Sequence, residues 1–156
     1  MAFSYPYVIH LGDTDGAGVV YFARLLSLCH VAYEESLLAT SVNLQAISVN
    51  DQIAFPIVHT SADFLRPLFW GDAVEIQLTP WPLDESDFEI TYQVLPLDNG
   101  DPWVSRPVLA RALTRHVCID SHRRCRTPLP EALIRWLYHW CDPATKSKPS
   151  PEAMLD

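Results

Sequence analysis

Residues 10–39 read HLGDTDGAGVVYFARLLSLCHVAYEESLLA, and the organisation of the chain turns on them. The first part sets Asp13 and Asp15 among Gly12, Gly16 and Gly18. From Phe22 the pattern changes: Leu25, Leu26, Cys29, Ala32, Tyr33 and Leu37 follow at helical spacing, which predicts one long amphipathic helix to about Ala39. Ser27, His30 and Glu34 mark another face of it. Upstream, Phe3, Tyr5, Tyr7, Ile9 and Leu11 alternate with Ser4, Pro6, Val8 and His10, the period of a strand. Pro6 points to an edge or a strand start, since it cannot donate to a ladder. The glycine-rich stretch is the junction between that strand and the helix.

Downstream the period is two. Strands are expected within residues 53–66, 72–81, 88–95 and 108–119, the last with Leu109, Leu113, Val117 and Ile119 as apolar positions and arginines interleaved. Turn residues separate them at Pro67 to Asp72, Pro82 to Asp84, and Asp98 to Asp101. Residues 40–52 read as loop or a short helical turn. A second amphipathic helix is expected at 131–140 behind Pro128 and Pro130. Residues 142–156 are rich in proline and polar groups and read as a frayed tail. With no repeat and no internal boundary, residues 1–141 are expected to form a single domain. Its class is α+β: an antiparallel sheet of about five strands wrapped around one long helix. Apolar residues on the outer face and bare sheet edges argue for self-association.

The chain of 156 residues is 49% hydrophobic and 19% charged, enough for a core and unlike a disordered protein. No apolar run is long enough for a membrane span, and the first residues lack a basic segment followed by an apolar one. A cytoplasmic protein is expected. Cys29, Cys118, Cys125 and Cys141 form no C-x-x-C pair and no zinc spacing, so free thiols, no metal and no cofactor are expected. Cys29 and Cys118 sit in apolar runs and read as buried packing residues. The net charge of −8 argues against nucleic-acid binding. Residues 1–105 hold Arg24 and Arg66 as their only bases, whereas residues 106–135 hold seven arginines. That cluster suits a nucleotide phosphate, or equally a solvated face.

A helix start offers free N–H groups and the positive end of a dipole, both of which stabilise a developing oxyanion. A carboxylate a few residues upstream can attack a carbonyl or deprotonate the water that does. The junction therefore suits acyl transfer or hydrolysis. The plainer reading is that Asp13 or Asp15 only caps the helix. The sequence has no G-x-S-x-G elbow, phosphate-binding loop, G-x-G-x-x-G or H-E-x-x-H. GDTDGAG also lacks the closing glutamate of a calcium loop, because Arg24 stands there.

GDTDGAGVVYFARLL (12–26), ADFLRPLFWGDAVEI (62–76) and the strand order together resemble hotdog-fold proteins of the 4-hydroxybenzoyl-CoA thioesterase type. Within that group the sequence is most similar to cyanobacterial and plastid 1,4-dihydroxy-2-naphthoyl-CoA hydrolases. The likeness spans about residues 5–120, and its R-P-x-x-x-G-D turn speaks for the fold more than the substrate. It implies hydrolysis of an aromatic acyl-CoA in phylloquinone or menaquinone biosynthesis. The matching positions make Asp15 the catalytic carboxylate, Asp13 a scaffold residue and the Phe22 backbone N–H the oxyanion donor. Val20 and Tyr21 would line the acyl site, with His59 and Ser61 near the acyl group. The family's site lies between subunits, so a homodimer at minimum, and often a homotetramer, is implied. Whether Asp15 is nucleophile or general base stays open. Relatives hold CoA phosphates with basic residues in a loop that is acidic here (82–87), so Arg111, Arg115, Arg123 and Arg124 are the replacement candidates, with Arg126 beside them. Two alternatives stand: a thioesterase for other acyl-CoA or acyl-carrier-protein substrates, and a non-catalytic acyl-CoA-binding hotdog domain.

Overall fold

The computed structural model describes residues 2–98, 100 and 106–141. The elements run β1 (Phe3–Val8), α1 (Phe22–Leu38), α2 (Leu44–Asp51), β2 (Ile53–Ala54), β3 (Ile57–Phe64), β4 (Ala73–Pro82), β5 (Asp87–Pro96), β6 (Ala110–Val117), β7 (Ile119–Asp120) and α3 (Glu131–Trp140). Five strands form one antiparallel sheet in the order β1-β4-β5-β6-β3. The long helix lies on one face of it, the hotdog arrangement that the sequence implied. Residues 142–156, read as a tail, lie outside the described residues.

Alternation decides which face is core. Val74, Ile76 and Leu78 of β4 and Phe88, Ile90, Tyr92 and Val94 of β5 are almost fully buried with Leu25, Leu28, Cys29 and Ala32 of α1. Burying each large apolar side chain contributes about 1.5–3 kcal/mol before entropy is counted. Burial raises the Cys29 thiol pKa to about 12 and that of Cys118 to about 11, so both behave as apolar packing groups. The α3 helix closes one end: Trp136 is buried, and its Nε1 donates to Ser36 Oγ on α1 at 3.0 Å.

β4, β5 and β6 follow one another as neighbours. β3 does not pair with β4 but lies at the far edge beside β6. The chain must therefore cross from one side of the sheet to the other between Phe64 and Ala73. Gly71 turns there with φ +91, a left-handed conformation that other residues rarely adopt. Asp72 Oδ2 accepts the Phe69 N–H at 2.8 Å. These are the physical roles of the glycine and aspartate in R-P-x-x-x-G-D. The crossing is anchored to the stretch before α1, where Val20 N–H donates to Leu68 O at 2.9 Å and Val19 bridges Phe69.

Of the two forms expected for residues 40–52 the helical one is present: residues 44–51 form a two-turn helix, which Asn43 caps by accepting the Ala46 N–H at 2.9 Å. Two local readings are corrected. The strand expected through 53–66 breaks at Phe55-Pro56: β2 pairs with β7, and β3 with β6. In β6 the core-facing positions are Ala110, Ala112, Thr114 and His116, whereas Arg111, Leu113 and Arg115 face the other side. Small residues face the helix there because α1 and Tyr33 fill the space. The Tyr33 ring lies 5.1 Å from that of His116. Pro6 sits on the edge strand β1, as its missing N–H requires.

Candidate active site

The junction folds as a single turn of 3-10 helix (Leu11–Asp13) followed by a miniature hairpin in which Thr14 bridges Val20. Asp15 stands on the shoulder of that hairpin. Its N–H donates to Val19 O at 2.9 Å, and its Oδ1 accepts the Ala17 N–H at 2.7 Å. Gly18 takes φ +81, so this glycine is required by the turn. Gly12 and Gly16 do not share that constraint, and a Cβ at either would meet nothing within 4 Å.

The two aspartates have different surroundings. Asp13 is 2% exposed and fully engaged. Its carboxylate accepts from the His10 N–H at 2.8 Å, Tyr7 Oη at 2.9 Å and Arg24 Nε at 2.7 Å. Its carbonyl oxygen accepts the Tyr21 N–H at 2.9 Å. Burial alone would raise its pKa, but the His10 N–H, Arg24 and Tyr7 together hold it below the ordinary aspartate value. Asp15 is exposed and has no charged partner at bonding distance among the described residues. One carboxylate is consumed by structure and the other is open.

Neither aspartate caps α1. The N-cap position is Tyr21, with no side-chain hydrogen bond, so the plainer reading of the junction is overturned. Phe22 is the first helical residue, and among the described residues its N–H has no acceptor. An uncapped first turn leaves N–H groups for a ligand, at the positive end of a 17-residue helix.

Asp15, Val20, Tyr21 and Phe22 line one cleft of about 380 Å³, together with Val19. The crossing segment, Phe64 to Leu68, lines the same cleft. The lining is apolar apart from Asp15 and Arg66. A carboxylate, the first residue of an uncapped helix and aromatic side chains border one space, a combination that suits attack on the carbonyl of an aromatic acyl group.

The crossing segment is the part of the site that the sequence reading did not assign to it. Its signal was the R-P-x-x-x-G-D motif, read as a marker of fold. Other sequence-derived candidates lie elsewhere in the chain. His59 and Ser61 pair with Arg115 and Leu113 and so face away from α1, on an exposed edge strand. Arg115 donates to Glu89 at 3.1 Å on that outer face, where Arg111 also lies. Arg123 and Arg124 occupy the exposed turn after β7, and Arg126 is held by Asp87 at 2.6 Å. None of the described tryptophans lines the cleft, and Trp103 lies outside the described residues. His30 pairs with Glu34 at 3.4 Å and borders, with Ser27 and Thr60, a second cavity of about 460 Å³ between α1 and β3. Among the described residues no helix is long and apolar enough to cross a membrane, and no group of acidic, histidine or cysteine side chains could hold a metal.

Residues 9–137 match the model of the thioesterase-like superfamily. The chain belongs to that superfamily. Within the thioesterase-like proteins it is 49% identical over 137 residues to a 1,4-dihydroxy-2-naphthoyl-CoA hydrolase of Nostoc punctiforme, covering 88% of this chain and 87% of that one. It is 48% identical to the enzyme of the same name from Rippkaea orientalis, covering 85% and 93%. A solved 1,4-dihydroxy-2-naphthoyl-CoA thioesterase from Synechocystis superposes with a TM-score of 0.79 at 36% identity, covering 88% and 96%. The match includes the hairpin, the start of α1 and the crossing segment of this thioesterase-like chain.

Proposed function

We propose that the chain is a thioester hydrolase that converts 1,4-dihydroxy-2-naphthoyl-CoA to 1,4-dihydroxy-2-naphthoate and CoA, a step in phylloquinone or menaquinone biosynthesis. The observation that carries the chemistry is the cleft shared by the open Asp15 carboxylate and Phe22, whose N–H has no acceptor among the described residues. The relatives named for this reaction support the substrate.

In this reading the thioester carbonyl oxygen accepts from the Phe22 N–H, and the aromatic acyl group lies against Val20 and Tyr21. Charge that develops on that oxygen is stabilised by the helix start. Asp15 then acts in one of two ways. It adds to the carbonyl carbon and expels CoA thiolate, giving a mixed anhydride that water opens, or it takes a proton from the water that adds. Single turnover in heavy-oxygen water separates them, since water that attacks the aspartyl carbonyl of the anhydride leaves label in the Asp15 carboxylate. We assign the CoA phosphates to Arg123 and Arg124 on the exposed turn after β7, where Asp120 accepts the Arg123 backbone N–H at 2.7 Å and holds the turn. The working form is a homodimer at minimum, or a homotetramer, in the cytoplasm. That assembly gives His59 and Ser61 of one subunit a route to the acyl group held by another.

The test is thiol release from a panel: 1,4-dihydroxy-2-naphthoyl-CoA, benzoyl-CoA, short-chain acyl-CoAs and acyl-carrier-protein thioesters. The naphthoyl thioester should give the highest kcat/KM. Turnover highest on another member reassigns the substrate, and tight binding without turnover on all of them identifies a binding domain.

A further inference from the structure

We infer that Arg66 is a specificity-determining residue of the cleft, recognising an oxygen on the acyl group beside the thioester. The inference rests on the function proposed above and goes beyond it. Most arginines of the chain are already paired with carboxylates: Arg24 with Asp13, Arg106 with Glu75, Arg115 with Glu89, Arg126 with Asp87 and Arg135 with Glu131. Arg66 is different. Its side chain makes no hydrogen bond or ion pair among the described residues, yet it lines the same cavity as Asp15.

The backbone that carries it is fixed on both sides. Arg66 N–H donates to Leu109 O at 3.0 Å, Pro67 has a restricted φ, and Leu68 O is held by the Val20 N–H. The guanidinium thus starts from a set point on the crossing segment, which is hydrogen-bonded to the stretch just before the helix start. Asp15 and Arg66 line one cavity without forming an ion pair, which leaves space between them for a substrate group. The other lining side chains are mainly apolar, so in this solvent-exposed cleft few protein groups compete with a ligand oxygen for the Arg66 guanidinium.

The cavity that holds Arg66 also holds the reacting carbonyl in the proposed function. The phosphates of CoA lie a whole pantetheine arm away, so the partner of Arg66 belongs to the acyl half. A 1-hydroxy-2-naphthoyl group offers an oxygen ortho to the thioester. After hydrolysis it offers a carboxylate next to that oxygen, a pair that a planar guanidinium fork can bind with two hydrogen bonds. An acyl group without the ortho oxygen forgoes that two-bond contact while the exposed guanidinium stays with water, so the discrimination is set by the contact alone.

The experiment compares 1-hydroxy-2-naphthoyl-CoA with 2-naphthoyl-CoA on wild type, Arg66→Met and Arg66→Lys. Wild type should prefer the hydroxylated thioester by about tenfold or more in kcat/KM, and Arg66→Met should bring that ratio close to one. Arg66→Lys should restore part of it. A ratio unchanged in Arg66→Met overturns the proposal, because the arginine is then only solvated. Equal losses on both acyl groups that vanish with pantetheine thioesters also overturn it, since Arg66 then holds a phosphate. Binding of free 1-hydroxy-2-naphthoate, followed by its fluorescence, needs no turnover. Weakening by about tenfold or more in Arg66→Met supports the role even if no thioester is hydrolysed, and unchanged binding overturns it. A wild type that hydrolyses neither thioester counts against the activity and leaves the binding result to decide Arg66.

Discussion

Arg24 Nε donates to Asp13 Oδ1 at 2.7 Å, and this bond joins the first turn of α1 to the turn that precedes the Asp15 hairpin. The same aspartate takes the Tyr21 N–H on its carbonyl oxygen, so both ends of the segment 14–20 are tied to one residue. These bonds fix where the hairpin that carries Asp15 sits relative to the start of α1.

Removing Asp13 should therefore cost stability first. Asp13→Ala leaves the His10 N–H, Tyr7 and Arg24 without their acceptor. Arg24 is 43% exposed in its side chain and partly resolvates, which reduces the loss. A destabilisation of about 2–3 kcal/mol is expected from urea unfolding, and about 1 kcal/mol for Arg24→Ala. Coupling between the two in a double-mutant cycle should be at least about 0.5 kcal/mol, and additivity would contradict the clamp.

Stability should fall between about pH 6.5 and pH 4. His116 is 1% exposed and stacks on Phe88 at 4.7 Å. Burial, with a lesser contribution from the charge of His30, lowers its pKa to about 4. The unfolded chain binds a proton near the ordinary histidine value of about 6.5, whereas the native state does not until about pH 4. The stabilisation is full above the first value and lost as pH falls through the second. Its size is of order 2–3 kcal/mol. Urea midpoints against pH should show this slope, and His116→Asn should flatten it.

Phe22 is the first helical residue, the position where proline is tolerated. Phe22→Pro deletes the N–H and should keep the helix. Turnover should drop by about a hundredfold or more with little change in melting temperature. Phe22→Ala keeps the donor and removes an aromatic wall, so it should raise KM more than it lowers kcat.

The exposed edge strand should carry the self-association. Ile57, Val58 and Phe64 of β3 are 44%, 57% and 49% exposed, and among the described residues no strand of the same chain covers that edge. Light scattering should give at least twice the mass of one chain. Val58→Lys with Phe64→Lys should lower it to a monomer and reduce activity with it. A wild type that is monomeric would contradict the assembly.

Much of this architecture was legible in the sequence. The α1 helix follows from the spacing of Leu25, Cys29, Ala32 and Tyr33, and β4 and β5 from clean alternation. The strand order did not follow, because β3 reaches β6 through contacts far apart in sequence that no local pattern encodes. The phase of β6 misled for a related reason. Leu113 is apolar but faces outward beside arginines, while Thr114 and His116 face the core. At the site, the residues alone left Asp13 and Asp15 equivalent and only the resemblance set them apart; what the structure adds is the three donors on Asp13 and their absence from Asp15 among the described residues. The wall formed by Phe64 to Leu68 was not legible as part of the site, since only folding brings it to the helix start.

The central claim is that Asp15 is the group acting on the thioester. The direct measurement is single-turnover hydrolysis of 1,4-dihydroxy-2-naphthoyl-CoA by wild type and Asp15→Asn, with urea stability and native mass checked for both. Asp15→Asn should fold and assemble as wild type does, because Asp15 makes no buried contact, and should lose about a hundredfold to ten-thousandfold in rate. A variant that folds, assembles and turns over at close to the wild-type rate would contradict the account.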